Sequence, residues 1–135
     1  MIEHVVIVGG GRVGRHVAEL LGEEQYTVSI IERAPERCER LPPQVGQVVE
    51  GDGTDPDVFA QADPAEATVV AALTNDTEVN LTVCEMAREL APDARTILRV
   101  AEDGEQALGY RNFVDDVVYP AAAGASATVD RINRI

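Results

Sequence analysis

Runs of four to seven mostly apolar positions recur at 4–8, 28–31, 45–49, 67–73, 96–100 and 114–119, with mixed stretches between them. Runs that are continuous rather than alternating fit strands buried on both sides, whereas a half-exposed strand would alternate. Between the first two runs Val13, Val17, Leu20 and Leu21 recur at i, i+4, i+7 and i+8, one stripe of an amphipathic helix. Val79, Val83, Met86, Ala87 and Leu90 repeat that spacing after the fourth run. Asn75 is placed to cap this helix, with Glu78 three residues on completing a capping box. Two shorter helices open on proline, Pro35 after Ala34 and Pro56 after Asp55, where the missing N–H is not needed. The Pro42-Pro43 pair closes the earlier one, and Asp115 and Asp116 form a solvated turn at the last strand. Strands alternating with helices predict an α/β fold, a parallel sheet covered on both faces.

Gly9, Gly11 and Gly14 fit G-x-G-x-x-G between the first strand and the first helix. Gly9 makes the tight turn, Gly11 lets a pyrophosphate approach the backbone, and Gly14 lets helix and strand pack closely. The phosphate then rests on the helix N-terminus, opened by Arg12 and Val13. A doubly wound Rossmann-like sheet of six parallel strands in the order 3-2-1-4-5-6 follows. Glu32 closes the second strand near the offset of an acid that accepts hydrogen bonds from a ribose diol. Its charge favours NAD or a plain adenine nucleotide over a 2′-phosphorylated one, and Arg33 beside it weakens the discrimination. Gly51-Asp52-Gly53-Thr54 and Thr74-Asn75-Asp76 with Asn80 fall at the carboxyl ends of strands three and four, the rim where open α/β sheets bind ligands. The same residue types also serve ordinary turns and helix caps, and capping is the primary role expected of Asn75.

At 135 residues the chain suits one domain over 1–120, followed by an alanine-rich segment, 121–135, with a helical pattern ending at Ile135 that packs on a partner or leads onward. No apolar stretch reaches the ~20 residues of a membrane helix, and Met1 runs into a strand with no secretion signal, so a cytoplasmic location is expected. Cys38 and Cys84 match no metal or redox spacing and read as reduced thiols. The 24 acidic residues face 11 basic ones, all arginine, for a net charge of −13. Such a surface repels nucleic acid and anionic lipid. Acidity without lysine also suits a salt-loving source, where salt screens the self-repulsion; the melting temperature should then rise from low to molar KCl.

The order GGGRVG, an acid ending strand two, GDGT, TNDTEVN and LRV in strand five resembles the TrkA-N family, the RCK N-terminal domains, over essentially the whole chain. The resemblance implies a non-catalytic, cytoplasmic domain that binds NAD(H), ATP, ADP or AMP and gates an attached potassium channel or a Trk or Ktr uptake system. It implies a homodimer or higher ring assembly. It also gives Arg12 a role on terminal phosphates, sometimes across a dimer interface, places Asp52 near the adenine and Thr74 and Asn75 near ribose and phosphate, and turns Arg99 toward the nucleotide. Gly53 departs from the family, where alanine is frequent, and this departure is expected to change little. No ligand cluster suggests a metal site. The competing function is a small NAD-dependent oxidoreductase. It would need a substrate site and a proton donor or acceptor beside the nicotinamide. There is no lysine, neither His4 nor His16 falls on the carboxyl rim, and no residues remain for a substrate domain.

Overall fold

The computed structural model describes residues 3–101, 107–110 and 112–134. Its six strands are β1 (His4–Val8), β2 (Thr27–Glu32), β3 (Gln47–Glu50), β4 (Val69–Ala72), β5 (Arg95–Arg99) and β6 (Asp116–Val118). They form one sheet in the order β3-β2-β1-β4-β5-β6, with every pairing parallel. This is the doubly wound Rossmann-like sheet expected. The helices are α1 (Arg12–Glu23), α2 (Pro35–Cys38), α3 (Pro56–Ala60), α4 (Thr77–Leu90), α5 (Ala107–Tyr110) and α6 (Pro120–Ile132).

Side chains alternate across β1, so its apolar run feeds two cores. Val6 and Val8 pack on one face with Phe59 of α3 and Val83 and Ala87 of α4. Val5 and Ile7 pack on the other with Ala18 of α1 and Ile30. Burial on both faces is the reason the run is unbroken. Pro35 and Pro56 stand in the first turns of α2 and α3, and Asp55 caps α3 by accepting the Asp57 N–H at 2.9 Å.

Three local expectations are corrected. Leu20 lies on the solvent side of α1, 60% exposed, because the helix packs through Gly14 and Ala18 with Val13, Val17 and Leu21 beside them. The cap of α4 is Asp76, not Asn75. Its extended backbone aims Oδ1 at the N–H groups of Glu78 and Val79, 3.0 and 3.3 Å away, and so satisfies two of the helix's free donors. Asp115 is not merely a solvated turn residue, since Oδ2 accepts the Thr96 N–H at 2.8 Å and ties the start of β6 to β5. Asp116 pairs with Arg95. The helix in 121–135 is present, with none of its residues buried; Ile135 lies outside the described residues.

Candidate functional site

Strand order reverses at β1, whose neighbours β2 and β4 lead their connections to opposite faces of the sheet. A crevice opens at the carboxyl ends of strands at such a point. Here it is a cavity of about 550 Å³, within the range of small-molecule and cofactor sites. Of the residues expected at the site, Gly9, Gly11, Arg12, Val13, Glu32, Arg33, Asp52, Gly53, Thr54, Thr74, Asn75, Asp76 and Arg99 line it. Gly14 and Asn80 do not.

The glycine turn is built for close approach. Gly9 has φ +110°, a conformation that L side chains rarely adopt, and a Cβ there would press on the backbone of Leu73 and Thr74. A Cβ on Gly14 would overlap the Gly9 carbonyl oxygen, so the first turn of α1 rests directly on the turn. Gly11 faces open space on the cavity side, and α1 begins there without a side-chain cap. The free N–H groups of that helix start and the bare Gly11 fit an anionic oxygen cluster such as a phosphate.

Glu32 is 4% exposed, and its carboxylate is held by backbone. Oε1 accepts the Gly10 N–H and Oε2 the Ala34 N–H, both at 2.8 Å. These charge-assisted bonds offset the desolvation of the carboxylate, and each oxygen keeps a lone pair for a hydroxyl donor. The glycine turn and the carboxylate are therefore one unit, joined through Gly10. Arg37 of α2 approaches Oε1 to 3.9 Å. At the end of β3, Asp52 Oδ1 accepts the N–H and the hydroxyl of Thr54, at 2.9 and 2.7 Å. These two bonds, with Arg33 nearby, hold the Asp52 carboxyl below its ordinary value. Gly53 lies against Val8, and a Cβ would collide with the valine methyl. An alanine at this position would therefore require Val8 to give way.

The opposite rim is organised by Asn80, which is fully buried and uses its whole amide. Oδ1 accepts the Thr74 N–H at 3.0 Å and the Thr74 hydroxyl at 2.6 Å; Nδ2 donates to the carbonyls of Thr74 and Arg99 at 3.0 and 2.9 Å. Asn80 thus sets the positions of two lining residues without reaching the cavity. Arg99 donates from Nη1 to the Leu73 carbonyl at 3.3 Å, while its buried Nε has no partner among the described residues. An orphaned guanidinium donor beside the cavity fits an anionic or carbonyl-bearing ligand.

The pattern did not single out the apolar floor of Val8, Ile31, Leu73 and Val79, nor Arg37, whereas Gly51 of the expected rim segment does line the cavity. The floor follows from strand ends that were visible; Arg37 arrives by the packing of a one-turn helix that leaves no periodicity. Neither thiol is activated. Burial pushes Cys84 up to about 12, and burial together with Glu50 and Glu32 raises Cys38.

A sequence model of the TrkA-N domain matches residues 5–120. The chain belongs to the TrkA-N domain family. A Trk system potassium uptake protein TrkA homolog from Pyrococcus horikoshii is 35% identical over 129 residues, which cover 91% of this chain and 57% of that protein. The TrkA-N chain thus spans a little over half the length of that relative. Among solved structures, the TrkA-N domain of the inner membrane protein ybaL from Escherichia coli superposes with a TM-score of 0.82 at 22% identity, covering 96% of each chain. The GsuK channel bound to NAD superposes with a TM-score of 0.69 at 24% identity over 87% of this chain and 21% of the channel's; GsuK has also been solved bound to ADP. At these identities the structures speak for the fold of the TrkA-N chain.

Proposed function

We propose that this TrkA-N domain is a regulatory module that binds NAD(H) or an adenine nucleotide (ATP, ADP or AMP) and passes the binding event to an associated potassium channel or transporter. The observation that carries it is the union of glycine turn and Glu32: the Gly10 N–H fixes the carboxylate beside an uncapped helix start, so a phosphate on the turn and a ribose diol on Glu32 are served by one rigid element. Asp52, Gly53 and Thr54 offer the adenine edge its surroundings. Thr74, Asn75 and Asp76 face ribose and phosphate, with Arg33 and Arg99 as cations. Gly14 and Asn80 act from behind the lining. The NAD- and ADP-bound GsuK structures and the Trk system relatives support the ligand class and the transport partner.

A small NAD-dependent oxidoreductase is the competing function. Among the described residues the cavity is lined by no histidine, tyrosine or cysteine. Its carboxylates serve the scaffold: Glu32 accepts two backbone N–H groups, and Oδ1 of Asp52 and of Asp76 holds Thr54 and the start of α4, roles that favour binding over proton transfer. Among the described residues no helix is long and apolar enough to cross a membrane. We place the domain in the cytoplasm, held near the membrane by its partner, with α6 and its exposed Val129 and Ile132 available to a second copy in a homodimer or ring.

Regulation requires different affinity for two states of the assembly. Calorimetry with NAD, NADH, AMP, ADP and ATP tests the first half of the proposal, with micromolar binding of at least one expected. Arg12→Ala is expected to weaken ATP and ADP much more than AMP; equal losses would remove Arg12 from the terminal phosphates. Hydride transfer to an added carbonyl substrate would favour the oxidoreductase.

A further inference from the structure

Pairing between β4 and β5 stops at Ala72 and Leu98, although both chains run on to the rim of the cavity. In a parallel ladder a residue donates its N–H to the carbonyl just before the residue opposite and accepts the N–H just after it. Arg95 keeps that pattern at the start of β5, giving its N–H to the Thr68 carbonyl at 3.0 Å. The register carried two residues further sets Thr74 opposite Val100. The next rung would then join the Thr74 N–H to the Arg99 carbonyl and the Ala101 N–H to the Thr74 carbonyl. Side chains from the start of α4 occupy that rung instead. Asn80 Oδ1 takes the Thr74 N–H, and Nδ2 gives to the carbonyls of Thr74 and Arg99. The Ala101 N–H goes to Thr77 Oγ1 at 3.0 Å. Three residues apart, Thr77 and Asn80 share a face of α4. Together they wedge β5 from β4, while the Val100 N–H keeps it on β6 through the Val118 carbonyl at 2.9 Å.

The wedge sets the spacing between two residues that line the cavity, Thr74 and Arg99. Asn80 grips the near side of Val100, which is 1% exposed, and Thr77 grips the far side. We propose that Thr77, which does not itself line the cavity, is a positioning residue for it and acts through Arg99. Without the threonine oxygen the Ala101 N–H turns to water, and the exit of β5 is tied to α4 by the Arg99 carbonyl alone. Arg99 then loses the fixed backbone from which its guanidinium crosses the split to the Leu73 carbonyl, 3.3 Å away. For its ligand this role rests on the nucleotide-binding function proposed above; the wedge itself does not.

Calorimetry with ADP and with NAD, well below the melting temperature, tests the role on wild type, T77V, T77S, R99Q and T77V/R99Q. T77V is expected to bind about fivefold more weakly, while T77S, which keeps the hydroxyl, stays within about twofold of wild type. In the R99Q background the added T77V is expected to change affinity by less than about twofold, because residues that act through one another are not additive. A scaffold role alone would lower the melting temperature and leave affinity unmoved. Equal affinity of T77V and wild type at equal fraction folded, or an undiminished T77V loss in the R99Q background, overturns the proposal. Amide exchange reads the wedge without any ligand: in T77V the Ala101 N–H should exchange about tenfold faster or more, and the Val100 N–H, bonded to β6, should not change. If T77V melts early, T77A, with a better helix former at that place, carries the same comparisons. Wild-type protein that binds neither ADP nor NAD would end the nucleotide proposal and with it the ligand of Thr77, whereas unchanged Ala101 exchange in T77V would end the wedge.

Discussion

The two rims of the main cavity are held in different ways. On the β1–β2 side a charged carboxylate, Glu32, is fixed by backbone N–H groups, and cations gather around it at Arg33 and Arg37. On the β4–β5 side a neutral amide, Asn80, is fixed by its own four hydrogen bonds and places Thr74 and Arg99 at the edge of the cavity. A buried charge can present unused lone pairs to a ligand, whereas a fully satisfied amide has nothing left to offer. The first rim is therefore suited to contact and the second to support. Substitutions on the two rims should separate binding from stability.

The largest effect is expected where both rims depend on one contact. In Gly14→Ala the new methyl has no room against the Gly9 carbonyl, and α1 must lift off the turn. A loss of about 3 kcal/mol or more is expected, the scale of overpacking at its upper end, read as a fall in the denaturant midpoint. Asn80→Ala should follow. It strands the Thr74 N–H and two carbonyls in a buried place, a loss of about 2–4 kcal/mol, and nucleotide affinity measured well below the melting temperature should fall less than stability does. Glu32→Gln should show the reverse balance. Its amide nitrogen must face either the Gly10 or the Ala34 N–H, donor against donor, for about 1–2 kcal/mol of stability, while nucleotide affinity by calorimetry falls about tenfold or more. If Asn80→Ala harms binding as much as Glu32→Gln at equal fraction folded, the division of labour between the rims is wrong.

The fold was legible because its determinants are local. Unbroken apolar runs, helical stripes and prolines at helix starts each repeat a rule that the tertiary structure obeys. The glycine turn and Glu32 were legible for the same reason: the turn needs glycine, and the strand carries the acid to its end. What stayed hidden depends on choices between equivalent neighbours or on contacts across the fold. Asn75 and Asp76 are both good caps, and only the backbone at Asp76 decides between them. Leu20 fits the stripe of α1, yet the close approach allowed by Gly14 and Ala18 turns the helix so that it faces solvent. Asn80 has the residue type of a ligand contact, and its burial gives it a different role. Arg37 reaches the main cavity only because α2 docks on β2 and β3, which no periodicity in a four-residue helix announces.

The smallest effect concerns the third carboxylate of the cavity, Asp52, at the exposed end of β3. Its hydrogen bonds to the Thr54 backbone and hydroxyl, with Arg33 nearby, lower its pKa from the ordinary 3.8. A group depressed in the folded state binds its proton more readily when unfolded, so it stabilises the fold above its unfolded value and loses that contribution as pH falls through the folded one. Asp52→Asn keeps an acceptor for Thr54 and removes the titration. The melting temperature of the wild type should therefore exceed that of Asp52→Asn slightly at neutral pH, and the gap should close as the pH is taken below about 4. A gap that persists in acid would mean that shape, not charge, sets the Asp52 turn. Asp52 would then share the supporting role of Asn80 rather than the contacting role of Glu32.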